Sequence, residues 1–168
     1  MILEKFSLKG KVAIVIGASR GLGRGMAKAL AEAGADLALV ARTISSLEEF
    51  AEEVKSLNRK CLILPHDISK PSEMEIVVNR VIQAFGKIDI LVNSQGTQVR
   101  KPAFEMTEQD WDGLMSVNLK SVFFSCQAVG RQMAKQGKGK IINVASLTSV
   151  IGLPNISIWG QARVESPN

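Results

Sequence analysis

At 168 residues, with a formal charge of +5, 46% hydrophobic and 22% charged residues, the chain has the length for one domain and a composition that excludes disorder and low complexity. Its longest apolar runs, VAIVIGA and LALVA, fall far short of the roughly 20 residues of a membrane span, and the N-terminus has no signal-peptide layout, so the expectation is a cytoplasmic protein with no membrane partner. Basic residues cluster only in RQMAKQGKGK (131–140), which reads as a solvated helix end and turn, so the charge suits an anionic small ligand and not nucleic acid.

In chain order, short apolar runs alternate with longer stretches of helical spacing. KVAIVIG (11–17) predicts a strand and 21–33 a helix; DLALVA (36–41) predicts a strand and 44–57 a helix. KCLILP (60–65) and 71–85 repeat the pattern, then IDILVN (88–93) and 107–135, and KIINVAS (140–146) closes it. Ser45, Ser69 and Thr107 stand where helix caps are expected, and Gly34 and Gly86 where helices end. Near-continuous apolar strands separated by helices predict a parallel sheet covered on both faces. The fold class is α/β, a Rossmann-like doubly wound parallel sheet in three layers, incomplete at about five strands, forming one domain over 1–168. Such sheets bind ligands at the carboxyl ends of their strands. Cys61 and Cys126 lie in apolar surroundings without ligand spacing and predict buried thiols, with no disulfide and no metal.

The first strand runs into IGASRGLGRG, with glycines at Gly17, Gly21, Gly23 and Gly25. Glycines between a strand and a helix let the backbone turn tightly and approach a pyrophosphate, which the amides of the helix N-terminus then meet. The spacing is not G-x-G-x-x-G, and no G-K-[ST] follows to make an NTPase loop.

The G-x-x-x-G-x-G spacing resembles the short-chain dehydrogenase/reductase family, as do HDIS with Asp67, NSQG (93–96), VNLKSVFF with Asn118, and IINVAS ending at Ser146. The five motifs fall in order across residues 7 to about 158. The resemblance implies a cofactor-binding set of Gly17, Ser19, Arg20, Gly21, Leu22, Gly23, Arg42, Asp67, Ile68, Asn93 and Gly96, with Asp67 at the adenine. Ile16 replaces a usual Thr, and Ser94 and Gln95 replace the second Asn and the Ala of the family's N-N-A-G. The second strand ends in VART without the carboxylate that would bind an NAD ribose hydroxyl. Arg42 and Arg20 suit a 2′-phosphate instead, favouring NADP over NAD, unless both simply point to solvent.

By the same resemblance Ser146 is the catalytic serine and Asn118 supports a proton-relay water, the bland alternatives being a turn hydroxyl and a structural amide. The family's catalytic Tyr and Lys fall at positions 159 and 163, where this chain, which contains no tyrosine, has Trp159 and Arg163. An indole N–H donates a hydrogen bond but does not cycle a proton as a phenol does. Losing a general acid or base costs about 10²–10⁴-fold, so the chain as written is expected to be nearly inactive. Family members continue into further strands that complete the sheet, the substrate pocket and the main homo-oligomer contact. The fifth strand is therefore expected to be an exposed edge. QARVESPN, read one nucleotide earlier, can encode ASKGGVAQ, which restores the family's A-S-K, so residues 159–168 are expected to be an out-of-frame tail.

The opening residues and the stretch 100–146 resemble the branch acting on sugar acids, such as gluconate 5-dehydrogenases and 2-deoxy-gluconate 3-dehydrogenases, while 3-oxoacyl carrier-protein reductases share most of the motifs. The implied reaction is hydride exchange between nicotinamide and a secondary alcohol or ketone of a small molecule; a non-catalytic dinucleotide-binding remnant is the alternative. Asp67 has a second reading as a turn cap, and His66, the one histidine, is expected to pack beside that turn. Trp111, Phe123 and Phe124 are expected in the core or at a helix interface.

Overall fold

Val12–Ile16, buried at every position, forms β1 at the centre of a parallel sheet. β2 (Asp36–Ala41), β3 (Cys61–Pro65), β4 (Ile90–Asn93) and β5 (Lys140–Asn143) complete it in the order β3-β2-β1-β4-β5. The computed structural model describes residues 2–164, with side chains placed for all of these except 3, 160, 161, 163 and 164. Residues 165–168, the end of the tail expected to be out of frame, lie outside the described residues.

The period of two along each strand sorts the core into two halves. Ile14, Ile16, Ala38 and Val40 face α3 (Pro71–Phe85) and α5 (Ser121–Gln136), packing on Met74, Val77, Val81, Val129 and Met133. Ala13, Val15, Leu37 and Leu39 face α1 (Gly21–Glu32) and α2 (Ile44–Ser56), packing on Ala27, Ala31, Leu47, Phe50 and Val54. The result is the three-layer doubly wound sheet the alternation predicts. Strand order reverses between β1 and β4, and the ends of β1, β2, β3 and β4 open onto one side. No helix among the described residues is long and apolar enough to cross a membrane.

Several local expectations are corrected. The strands are shorter than their apolar runs, because Lys11, Lys60 and residues 88–89 lie in the connections that lead into them; α2 begins at Ile44, so Ser45 lies inside its first turn and Thr43 takes the cap position. Lys70 caps α3 in place of Ser69, whose hydroxyl donates to Asp67 Oδ1 at 2.8 Å. Thr107 does cap α4 (Glu108–Met115): its Oγ1 accepts from Asp110 N, and Asp110 Oδ2 accepts from Thr107 N in return. The single helix expected over 107–135 is α4 joined to α5 through a π-helical turn at Ser116–Lys120. Ser121 Oγ donates to Val117 O there at 2.6 Å, satisfying a carbonyl at the helical irregularity.

Trp111 is 44% and Phe123 50% exposed, so neither is core; Phe123 meets Phe124 edge to face at 5.3 Å on the surface of α5. On β5, Ile141 and Ile142 are 39% and 47% exposed, in keeping with the exposed edge expected of this strand. The last described element is α6 (Ser157–Val164), which packs Ile158 and Ala162 on Leu114 of α4.

Candidate active site

A cleft of about 1270 Å³ runs along the carboxyl ends of the strands, from the loop after β1 to Ser146 and Trp159. The glycine turn shapes one end of it. Gly17 has φ +80°, and a Cβ there would stand 2.8 Å from the Ser94 backbone. A Cβ on Gly23 would stand 2.2 Å from Gly17 O. The loop therefore folds on itself and against β4 only with hydrogen at both positions. No side chain caps the N-terminus of α1, where Arg20 holds the cap position, so its first-turn amides are left for a ligand. A glycine cradle and uncapped amides fit a dinucleotide pyrophosphate.

Gly17, Ser19, Arg20, Gly21, Leu22, Gly23, Arg42, Asp67, Ile68 and Gly96, ten of the residues expected to bind cofactor, line this cleft. Arg20 and Arg42 are exposed on its rim, with no acidic partner for either among the described residues. Asp67 lies where both of its readings would place it. It lines the cleft, and its Oδ1 accepts from Ser69 N at 3.2 Å and Ser69 Oγ at 2.8 Å. His66 sits beside the turn as expected, and it also lines the cleft.

Asn93 is the exception, lying buried beneath the cleft and not along it. The last residue of β4 turns its side chain toward α5: Nδ2 donates to Asn143 Oδ1 at 2.8 Å and to Cys126 Sγ at 3.3 Å, and Oδ1 accepts from Ser125 Oγ at 2.7 Å. It therefore ties β4 to β5 and α5. Cys126 and Cys61 are free and partly buried. Burial pushes the Cys61 thiol up to about 11 and also raises Cys126, against smaller opposing effects from Asn143 and Asn93. Neither suits a nucleophile.

Asn118 projects from the π-helical turn and is fully buried. Its Nδ2 donates to Thr97 O at 2.8 Å and its Oδ1 accepts from Thr97 N at 2.9 Å. Both ends of the amide thus hold the loop after β4, whose residues Ser94–Thr97 form one wall of the cleft. That arrangement agrees with the structural-amide alternative for this residue.

Ser146 opens a 3₁₀ turn at Leu147–Ser149, and three groups surround its Oγ: Trp159 Nε1 at 3.0 Å, Thr148 N at 3.3 Å and Thr148 Oγ1 at 2.9 Å. A hydroxyl has two lone pairs and one proton. The indole and amide N–H donate to this oxygen and so does the Thr148 hydroxyl, so Ser146 Oγ is held as an acceptor from within the protein. Trp159 is held there by packing against the cluster of Leu114, Ile158 and Ala162. Arg163 lies on α6, and its side chain is outside the described residues.

Sequence reasoning assigned no site role to Thr97, Thr148, Gln109 or Asp110. The last two line the cleft on the α4 side. Lys101 and then Thr107 hydrogen bonds pull the Asp110 carboxyl down to about 2. The spacing of Thr107 and Asp110 was a readable capping signal, but nothing in it points toward a cleft.

Residues 11–163 match the short chain dehydrogenase family. The 2-dehydro-3-deoxy-D-gluconate 5-dehydrogenase of Dickeya dadantii is 47% identical over 153 residues, covering 90% of this chain and 60% of that protein. A gluconate 5-dehydrogenase of Burkholderia cenocepacia, solved with NADP and tartrate, superposes with a TM-score of 0.91 at 33% identity, covering 98% of this chain and 64% of that one. An NAD+-bound xylitol dehydrogenase superposes with a TM-score of 0.90 at 31% identity, covering 93% of this chain and 60% of that one. The chain spans about 60% of the length of the curated relatives it matches. With a match that runs from the residue before β1 into α6 and a glycine turn built for a dinucleotide, the chain belongs to the short chain dehydrogenase family.

Proposed function

We propose that this chain carries the dinucleotide-binding part and the serine of an oxidoreductase that exchanges hydride between a nicotinamide and a secondary alcohol or ketone of a sugar acid. NADP is preferred, and with Trp159 in place the chain binds dinucleotide without turnover. When bound, the dinucleotide supplies the hydride acceptor or donor. The chain's own residues do the rest: the glycine turn and the first amides of α1 hold the pyrophosphate, Arg20 and Arg42 meet a 2′-phosphate, and Asp67 borders the adenine side. Ser146 is placed to polarise the substrate oxygen and Asn118 to position the wall opposite.

The observation that carries the inactive reading is the 3.0 Å bond from Trp159 Nε1 to Ser146 Oγ. The indole stands where the proton-cycling group belongs, and its N–H engages Ser146 Oγ without being able to give up and take back a proton. The relatives named above support the sugar-acid class, and the residues at 159 and 163 support reading 159–168 as out of frame. Calorimetry with NADP+ and NAD+, followed by a nicotinamide absorbance assay with gluconate, tests the proposal. The expected result is NADP+ binding at least about tenfold tighter, a difference of ~1.4 kcal/mol, with no turnover. Equal affinities would overturn the preference, and turnover by the unaltered chain would overturn the inactive reading. Sequencing the encoding DNA from codon 140 onward tests the tail: the neighbouring frame should read ASKGGVAQ.

A further inference from the structure

We infer that Asp110 is a specificity-determining residue that accepts a hydrogen bond from a hydroxyl on the substrate's carbon chain, committing the reaction end of the cleft to polyhydroxylated ligands. The inference rests on the sugar-acid reading above and names the group of that substrate that is read. α4 and the turn after it present Gln109, Asp110, Gly113, Leu114 and Val117 to the cleft, a helical spacing that makes one face. Leu114 also belongs to the cluster that holds Trp159, whose indole bonds to Ser146 Oγ. Asp110 precedes Leu114 by four residues, about 6 Å along the helix axis. Asp110 and Ser146 thus border the same end of the cleft.

The two carboxylate oxygens of Asp110 are used unequally. Oδ2 accepts from Lys101 Nζ at 2.6 Å, Thr107 Oγ1 at 2.8 Å and Thr107 N at 3.1 Å, whereas Oδ1 has no donor among the described residues. The side chain is 17% exposed and lines the cleft, so one oxygen is fixed and the other is open. Lys101 first and Thr107 second hold the carboxyl at about 2, so Oδ1 is an ionised acceptor at any working pH. An ionised oxygen with no proton of its own takes O–H donors in short, strong bonds. An aliphatic chain laid against it strips its water and returns nothing. Lys101 keeps the pair neutral, so a carboxylate elsewhere on the ligand is not turned away. The other carboxylate and the two guanidinium groups of the lining, Asp67, Arg20 and Arg42, stand at the dinucleotide end. Oδ1 is therefore the charged acceptor that a substrate chain meets at the reaction end.

Ligand-observed NMR titrations in the presence of NADP+ test the inference with D-gluconate, with hexanoate, which has the same length and charge without hydroxyls, and with D-threitol, which has hydroxyls without the charge. The unaltered chain should bind gluconate at least about tenfold tighter than hexanoate, the size of one hydrogen bond to a charged group. In Asp110→Asn the oxygen stays with Lys101 and Thr107 and an NH2 replaces Oδ1, turning the acceptor into a donor. The preference for gluconate should shrink about tenfold, with hexanoate and NADP+ affinities each within about twofold. Gly113→Leu decides the matter if Asp110→Asn fails to fold. A Cβ at Gly113 meets nothing within 4 Å, and a helical side chain there covers the turn that carries Asp110. It should shrink the preference to a similar degree. An unchanged preference in the variants, or an equal loss for gluconate and hexanoate in Asp110→Asn, would overturn the role of Asp110 while leaving the sugar-acid reading standing. Threitol binding that depends on Asp110, without gluconate binding, would support the role of Asp110 and overturn the sugar-acid reading. No preference for either hydroxylated ligand over hexanoate in the unaltered chain would overturn both.

Discussion

The two ends of the cleft are built from different materials. At the dinucleotide end the working parts are backbone: Gly17 and Gly23 serve by having no side chain, and the first amides of α1 serve whatever residues carry them. Replacements are absorbed there. Gln95, standing where the family has Ala, donates to Ser121 Oγ at 3.0 Å, and Ser94, standing where it has Asn, keeps its backbone bond to Ile16 O at 3.0 Å. At the reaction end everything depends on the identity of single side chains. Trp159 fills its place, packs on α4 and bonds to Ser146, yet an indole cannot cycle a proton. Good packing and a satisfied hydrogen bond are thus compatible with the absence of a proton-cycling group at that position. Binding built on backbone geometry depends less on side-chain identity than proton transfer does.

The largest expected effect lies at the reaction end. Trp159→Tyr combined with Arg163→Lys should raise NADPH-dependent reduction of a keto sugar acid by about 10²–10⁴-fold, the usual worth of a general acid or base. Arg163→Lys alone should do nothing, because the indole at 159 still cannot cycle a proton. A gain from the single variant would break the contrast by showing that position 159 is not what limits the reaction.

The dinucleotide end should respond to backbone crowding and ignore side-chain additions in open space. Gly17→Ala places a methyl 2.8 Å from the Ser94 carbonyl at a φ of +80°. Dinucleotide affinity measured by calorimetry should fall by more than about 100-fold, a loss of ~2.7 kcal/mol. Gly25→Ala, two residues beyond Gly23 in the same helix, meets nothing within 4 Å. It should leave affinity unchanged and stabilise the chain by about 0.5–1 kcal/mol through helix propensity, read as a higher melting temperature. Equal effects from the two substitutions would mean that the loop does not approach its ligand through Gly17.

This contrast also sets how much could be read from the sequence. Strand periodicity and the glycine spacing are local signals, so the sheet, its helices and the gathering of ten of the eleven candidate residues along one cleft were legible along the chain. Asn93 was misplaced because a strand's last residue can face the cleft or the helix layer, and only the meeting with Asn143 and Ser125 chooses. The π-helical turn was invisible because its cause is tertiary, with Asn118 clamped on Thr97 twenty-one residues earlier in the chain. The bond from Trp159 to Ser146 was likewise hidden: position 159 shows which side chain replaces the family's Tyr, whereas its contact with the serine needs α6 packed against α4.

The smallest expected effect separates the scaffold from both ends of the cleft. Asp89 lies just before β4, at the amino ends of the strands and away from the cleft, and is 6% exposed. Its Oδ2 accepts from Val12 N at 3.0 Å, with Lys87 at 3.1 Å and Lys11 at 3.6 Å. Burial opposes the charge, but the Val12 amide and the two lysines together outweigh it and hold the carboxyl below its ordinary value. A depressed carboxyl stabilises the folded state above its unfolded pKa of about 3.9, and that stability is lost as pH falls through the lower folded value. Asp89→Asn keeps an acceptor for Val12 N and removes the charge, so it should cost about 1 kcal/mol at neutral pH. The difference in melting temperature from the unaltered chain should shrink as pH drops below about 4. Dinucleotide affinity should not move, because β1 and β4 still carry Gly17 and Ser94 to the far end of the sheet. A weakened affinity would mean that the register of β1 against β4, pinned at Asp89, is what holds the glycine turn against its neighbour.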